Sequence, residues 1–283
     1  MKDFKDKVAV ITGAASGIGF GIAERCAQEG MNVVLADVEE KALTKAEEEI
    51  KKIGAKALSV LTDVSKENDV KALAQKTLDT FGAVHVLCNN AGVNAGRTIW
   101  ESTLADWEWV IGVNLWGVIY GVRTFLPIML EQDTECHIVN TASMAGLISY
   151  PGSGVYNVTK QGIVALSETL YHELNLRNAK VKVSVLCPGA VNTQIIDAAR
   201  NRPITLQNEP AKEAVSPKLK KQREAWIQSL KEGMSPQQLA DHIFQSIRDE
   251  KFYILSHPEW KPKIQLRMED ILQGRNPSGL LLE

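Results

Sequence analysis

The sequence predicts an α/β protein built on one doubly wound parallel sheet, with a helical insertion near its end and a C-terminal tail. Three observations carry that prediction. Short β-branched runs alternate with longer helical patterns through the first 190 residues. The strand runs are almost continuously apolar, as strands buried on both faces must be. A glycine-rich turn joins the first strand to the first helix.

Residues 8–12, Val-Ala-Val-Ile-Thr, read as the first strand, and a helix over 17–29 ends at Gly30. Residues 33–36 form the second strand. A helix rich in Glu, Lys and Ala follows over 39–53 and stops at Gly54. A third strand covers 57–61, a third helix 66–81 ends at Gly82, and 84–88 is the fourth strand. One long helix spans 104–132, followed by the strand containing His137, Ile138 and Val139. A helix over 154–176 and a strand over 181–187 complete the alternation. Right-handed crossovers between such units produce a Rossmann-type sheet, whose ligands bind at the carboxyl ends of its strands. Over 191–233 the rhythm breaks into polar, helix-compatible sequence with three prolines. A helix over 236–248 and a short strand over 252–255 close a single domain of residues 1–255. The tail, 256–283, carries Pro258, Pro262 and Pro277 and ends in Leu280, Leu281 and Leu282.

At 283 residues, 45% apolar and 23% charged, the chain has the composition of a globular protein with one large core. A net charge of −2 offers nothing to a nucleic acid or an anionic membrane. Cys26, Cys88, Cys136 and Cys187 form no Cys-x-x-Cys motif, so a reduced, cytoplasmic protein is expected. Residues 8–23 lack charge but hold four glycines, a poor secretory core. The chargeless run 138–159 could span a membrane by length; Pro151 and three glycines make it a buried active-site segment instead. His85, His137 and His172 have no ligand spacing, and no metal is assigned.

The first turn reads Thr12-Gly13-Ala14-Ala15-Ser16-Gly17-Ile18-Gly19. Glycines let backbone approach a pyrophosphate, and a helix N-terminus supplies amide hydrogens; close strand–helix packing is the alternative reading. Asp37 ends the second strand, where a carboxylate can hold an adenosine ribose and repel a 2′-phosphate. Residues 38–40, Val-Glu-Glu, bring no cation, which favours NAD over NADP. A helix N-cap is its other role. Asp63 and Val64 follow the third strand, beside an adenine site or as a helix cap; Asn90, Ala91 and Gly92 follow the fourth. Tyr156 and Lys160 are four apart and share a helix face, where a cation would draw the phenol pKa down toward neutrality. Ser143 lies thirteen residues before Tyr156, placed to donate to an oxygen gaining charge.

These motifs, in this order, resemble those of the short-chain dehydrogenases/reductases of the single-domain type. The resemblance implies that Tyr156 is the acid/base, that Ser143 orients a carbonyl and that Lys160 holds the nicotinamide ribose. It implies too that Asn114 holds a water for a proton relay. Pro188, Gly189, Val191 and Thr193 resemble the nicotinamide clamp, with Asn192 before the threonine. The expected activity is NAD(H)-dependent interconversion of a secondary alcohol and a ketone, with a moderately large, apolar substrate. The rivals are an NADPH-dependent ketone or β-ketoacyl reductase, which Asp37 opposes, and a binding protein without turnover, which four intact catalytic positions oppose. Residues 191–233 are the expected substrate lid, with Ile195, Ile196, Ile204, Leu206, Val215, Leu219, Trp226, Ile227 and Leu230 lining an apolar pocket. Its basic run, Lys218, Lys220, Lys221 and Arg223, reads as a solvated helix face. Trp107, Trp109 and Trp116 read as packing residues. The resemblance also implies a homo-oligomer, a dimer or tetramer, joined through the two long helices, with Trp116, Phe125 and Tyr171 as anchors.

Overall fold

The computed structural model describes residues 1–209 and 217–278. Val215, the side chains of Lys218, Leu219, Lys220 and Arg223, and Leu280 to Leu282 lie outside the described residues.

Seven strands form one parallel sheet: β1 (Val8–Thr12), β2 (Asn32–Asp37), β3 (Ala57–Leu61), β4 (Val86–Asn89), β5 (Cys136–Thr141), β6 (Val181–Leu186) and β7 (Tyr253–Ile254). Their spatial order is β3-β2-β1-β4-β5-β6-β7. The strand order reverses between β1 and β4: Ala9 pairs with Val33 on one side and Val86 on the other. That reversal opens a crevice at the carboxyl edge, because the crossovers leave toward opposite faces.

The period-2 geometry of β1 divides its apolar run between the two faces. Ala9 and Ile11 pack with Ile22 of α1 (Gly17–Gln28) and with Leu239 and Phe244 of α8 (Pro236–Arg248). Val8 and Val10 pack on the opposite side with Leu73 of α3 (Glu67–Phe81) and Phe125 of α5 (Gly117–Glu131). Phe125, expected at a subunit interface, is completely enclosed there and is a core residue. The cysteines are free and buried, and burial pushes the Cys88 and Cys187 thiols up to about 12.

The long helix expected over 104–132 is not uniform. It consists of α4 (Leu104–Ile111), a π-helical turn (Gly112–Trp116) and α5. By length and composition Leu104–Glu131 could cross a membrane; here it flanks the sheet beside α3 and β4. The chargeless run 138–159 is divided among β5, a 3₁₀ turn (Met144–Gly146) and the start of α6 (Gly154–Leu176).

The lid starts and ends against itself: Val191 bridges Met234, and Met234 N donates to Ala190 O at 3.1 Å. Between them lie two 3₁₀ segments, Ile195–Asn201 and Ile204–Leu206, and α7 (Pro217–Lys231). Ala198 and Leu206 pack against Trp109 and Val155. Ile204 and Trp226, expected to line a pocket, instead face solvent at 86% and 39% exposure. The tail folds into a 3₁₀ turn (Pro258–Trp260) and α9 (Lys261–Leu272). Trp260 meets Tyr150 edge-on at 5.9 Å, and Arg267 donates to Leu147 O at 3.1 Å.

Candidate active site

At the carboxyl end of β1 the chain turns sharply at Gly13, which has φ +65°. A Cβ there would stand 2.9 Å from the Ala91 Cα, and one on Gly19 would overlap the Gly13 carbonyl oxygen. Only glycine fits either position, so the turn lies flat against the end of β4. Ser16 is the N-cap of α1, yet its hydroxyl caps nothing. The first amides of α1, headed by Gly17, therefore face the crevice with the positive end of the helix dipole behind them. Ile18 is partly covered and packs into the core below.

Thr12, which opens the turn motif but carries no role of its own in the sequence expectations, is the organiser of this edge. Its hydroxyl accepts from Asn90 N at 2.9 Å and Ala91 N at 3.1 Å, and it donates to Cys88 O at 3.4 Å. Asn90 Nδ2 donates back to Thr12 O at 3.0 Å, while Asn90 Oδ1 accepts from Thr141 Oγ1 at 3.4 Å. Asn90 thus braces the ends of β1, β4 and β5. A threonine after an apolar strand gives no local sign of that role.

Asp37 accepts from Ala15 N at 3.0 Å through Oδ2, and from Val38 N at 2.7 Å and Glu39 N at 3.1 Å through Oδ1. The N-cap of α2 (Glu40–Lys52) is Glu39, so Asp37 orders the preceding turn rather than the helix end. Asp63 makes a similar turn with Ser65 at 3.0 Å, and Val64 beside it is buried. Across the crevice, the methyl of Thr193 packs over Gly17. Pro188 O accepts from Met144 N at 2.9 Å, tying that loop to the turn after Ser143. Gly189 N donates to His257 Nδ1 at 3.0 Å, and the other ring nitrogen donates to Ala190 O at 3.0 Å. Val191 is buried. His257 comes from the tail, which no motif connected to this site.

The π turn places Asn114 inside the protein with no exposure. Its Oδ1 accepts from Val93 N at 2.8 Å; its Nδ2 donates to Val93 O at 2.9 Å and Thr159 Oγ1 at 3.2 Å. Thr159 Oγ1 donates to Tyr156 O at 2.8 Å, joining α6 to the same network. A Cβ added to Gly92 would stand 3.5 Å from Asn114 Oδ1 and 3.6 Å from Lys160 Nζ. Asn114 Oδ1 and Lys160 Nζ thus meet at Gly92, with the Tyr156 ring beside Lys160. The Ser143 hydroxyl accepts from Ala145 N at 3.2 Å, which aims it from the end of β5.

Lys160 is buried, and its Nζ donates to Thr141 O at 2.8 Å. Its ammonium lies over the Tyr156 ring, 5.5 Å from the ring centre. Burial pushes the Tyr156 phenol up to about 12, opposite to the fall expected from Lys160, and Ser143 offsets only part. Burial pushes Lys160 down to about 8. The Tyr156 side chain stays partly open, as a group meeting a substrate must. Beside the first turn of α6 lies a cleft of about 450 Å³, lined by Ile99, Trp100, Tyr150, Pro151 and Val158 among others.

A nicotinamide dinucleotide fits this edge. The cradle at Gly13, Gly17 and Gly19 excludes side chains, the first α1 amides take no side-chain cap, and Asp37 stands at the end of β2. The short chain dehydrogenase family model matches residues 7–203. A CLA biosynthesis dehydrogenase/reductase of Lactiplantibacillus plantarum is 36% identical, over 100% of this chain and 99% of its own. A C alpha-dehydrogenase of a Sphingobium strain is 34% identical, over 98% and 89%. The crystal structure of a short chain dehydrogenase/reductase from Burkholderia phymatum in complex with NAD superposes with a TM-score of 0.95. It is 46% identical, with all of both chains covered.

Proposed function

We propose, from the premise that this chain belongs to the short chain dehydrogenase family, that it interconverts a secondary alcohol and a ketone using NAD(H). The observation that carries the reading is the meeting of Asn114 and Lys160 at Gly92, beside the glycine cradle, with the Tyr156 ring next to Lys160.

The dinucleotide, when bound, supplies or accepts the hydride. The residues of the chain do the rest. The Ser143 hydroxyl orients the substrate oxygen and stabilises charge developing on it. Tyr156, protonated at neutral pH because burial disfavours its anion, donates a proton to that oxygen in ketone reduction. In alcohol oxidation it must take a proton, and the Lys160 charge over its ring is placed to favour the phenolate. Asn114 is bound on both sides to the Val93 backbone, so its amide is rigid where a relay water would sit.

Asp37, with no cation in residues 38–40, supports NAD over NADP, as does the NAD complex of the Burkholderia relative. The cleft beside α6, with Trp100 and Ile99 exposed at its rim, supports a substrate with an apolar body. Four free, buried cysteines accord with a reducing, cytoplasmic setting. NADH formation from NAD and a panel of secondary alcohols tests the activity. Tyr156→Phe is expected to lower turnover about 10²–10⁴-fold with NADH binding retained. Near-wild-type turnover in that variant refutes the assignment.

A further inference from the structure

Three consecutive lid residues grip opposite walls of the crevice. Arg200 Nη2 meets Glu39 Oε1 at 2.6 Å, with Nε on the same oxygen at 3.1 Å, and Asn201 Nδ2 joins at 2.8 Å. Glu39 belongs to the turn ordered by Asp37, on the β2 side. Arg202 turns the other way: its Nη1 meets Asp106 Oδ1 at 2.6 Å, and its guanidinium lies 5.1 Å from the centre of the Trp109 ring. Asp106 is in the first turn of α4, on the β4 side. Residues 200–202 therefore cross from one half of the sheet to the other, while Thr193 covers Gly17 between them.

The two anchors are unequal. Asp106 is wholly buried and also accepts from Asn208 Nδ2 at 2.8 Å and Thr103 N at 2.9 Å; the Arg202 side chain is 9% exposed. Breaking a buried, fully bonded pair leaves an uncompensated charge and is strongly unfavourable. The Arg200 and Glu39 side chains are 33% and 29% exposed, so water can replace either partner at little cost. Arg200 is held ready, its Nη1 donating to Gln194 O at 3.2 Å and Asp197 O at 3.0 Å. Arg200 and Asn201 keep the Glu39 carboxyl below the usual carboxylate range, so the latch is charged at neutral pH.

We propose that residues 200–202 form a strap over the dinucleotide groove, hinged at Asp106 and latched at Glu39. Opening of the Glu39 latch controls how fast NAD(H) enters and leaves at its adenosine end. The proposal rests on the functional reading above: a dinucleotide with its pyrophosphate at α1 and its ribose at Asp37 lies beneath this strap. Arg200 and Glu39 are positioning residues, acting on the cofactor through the strap.

The test uses Glu39→Gln, Arg200→Ala and their combination. Glu39 makes no side-chain cap to α2, so its replacement leaves the helix start intact. Release of NADH, followed by stopped-flow fluorescence, should be about five-fold faster in each single variant, the upper end for a partly exposed pair. The double variant should be no faster than the singles, since both remove one interaction. Release at the wild-type rate, or additive effects, overturns the proposal. Amide exchange across Ile195–Asn201 in the free protein reads the latch without any ligand. It should be faster in both variants, and unchanged exchange removes the strap. Wild-type protein that binds no NADH refutes the functional reading, and the release claim with it, while the exchange result still stands on its own.

Discussion

Lys160 is an amine almost without exposure whose folded pKa, about 8, lies well below the ordinary 10.5. Between those values the unfolded chain holds a proton that the folded one has released, so this residue's cost to stability shrinks as pH rises. Lys160→Met removes that dependence. Relative to the variant, the wild-type protein should gain stability from pH 7 to pH 9, read as the difference in Tm; a constant difference refutes the shift. Asp37 acts by charge at the other end of the groove. Asp37→Asn keeps an acceptor for Val38 N and Glu39 N but removes the anion. Relative activity with NADP should rise about ten-fold, the effect of about 1.4 kcal/mol of repulsion. A wild-type enzyme already preferring NADP contradicts this. The identity of Asp37 and its place at a strand end were readable in the sequence. Its three amide partners were not, because Ala15 reaches it only through the fold.

The π turn is the element on which the site depends. Periodicity marks residues 104–132 as helical, but a single extra residue in one turn leaves no compositional trace. What rewards the turn is Asn114, whose amide satisfies both the N–H and C=O of buried Val93. Asn114→Ala orphans both groups and should destabilise the protein by about 2–4 kcal/mol in urea unfolding, besides lowering turnover. A loss below about 1 kcal/mol means the loop at Val93 is held by other contacts. The lid shows the same limit. Its helical character was legible, but Ile204 and Trp226 could not be sorted from Ala198 and Leu206 without knowing that Trp109 lies beneath only the latter pair.

The exposed aromatic residues concern the whole molecule. Trp116 is 46% exposed and stacks on Tyr120 at 5.4 Å; Tyr171 and Tyr253 are 37% and 45% exposed. Such residues on helix faces and an edge strand favour burial against another copy. We propose a homotetramer joined through α5, α6 and the β7 edge, without Phe125, which the core has already claimed. Light scattering at micromolar concentration should give four times the chain mass, and Trp116→Glu should shift it downward. A monomer mass for the wild type rules the assembly out.

The sequence alone determined the order of strands and helices, the turn at Gly13, and the Tyr156–Lys160 spacing. These follow from short-range rules: apolar runs pair, glycines permit close approach, and residues four apart share a helix face. Tertiary structure decided whatever depended on which distant segment came near. Burial, not a neighbouring cation, sets the direction of the Tyr156 shift, and Lys160 spends its proton on Thr141. Arg200 and Glu39 are 161 positions apart, Arg202 and Asp106 96, and His257 reaches Gly189 from the tail. No local pattern encodes such pairs, because their partners come within reach only once the chain has folded.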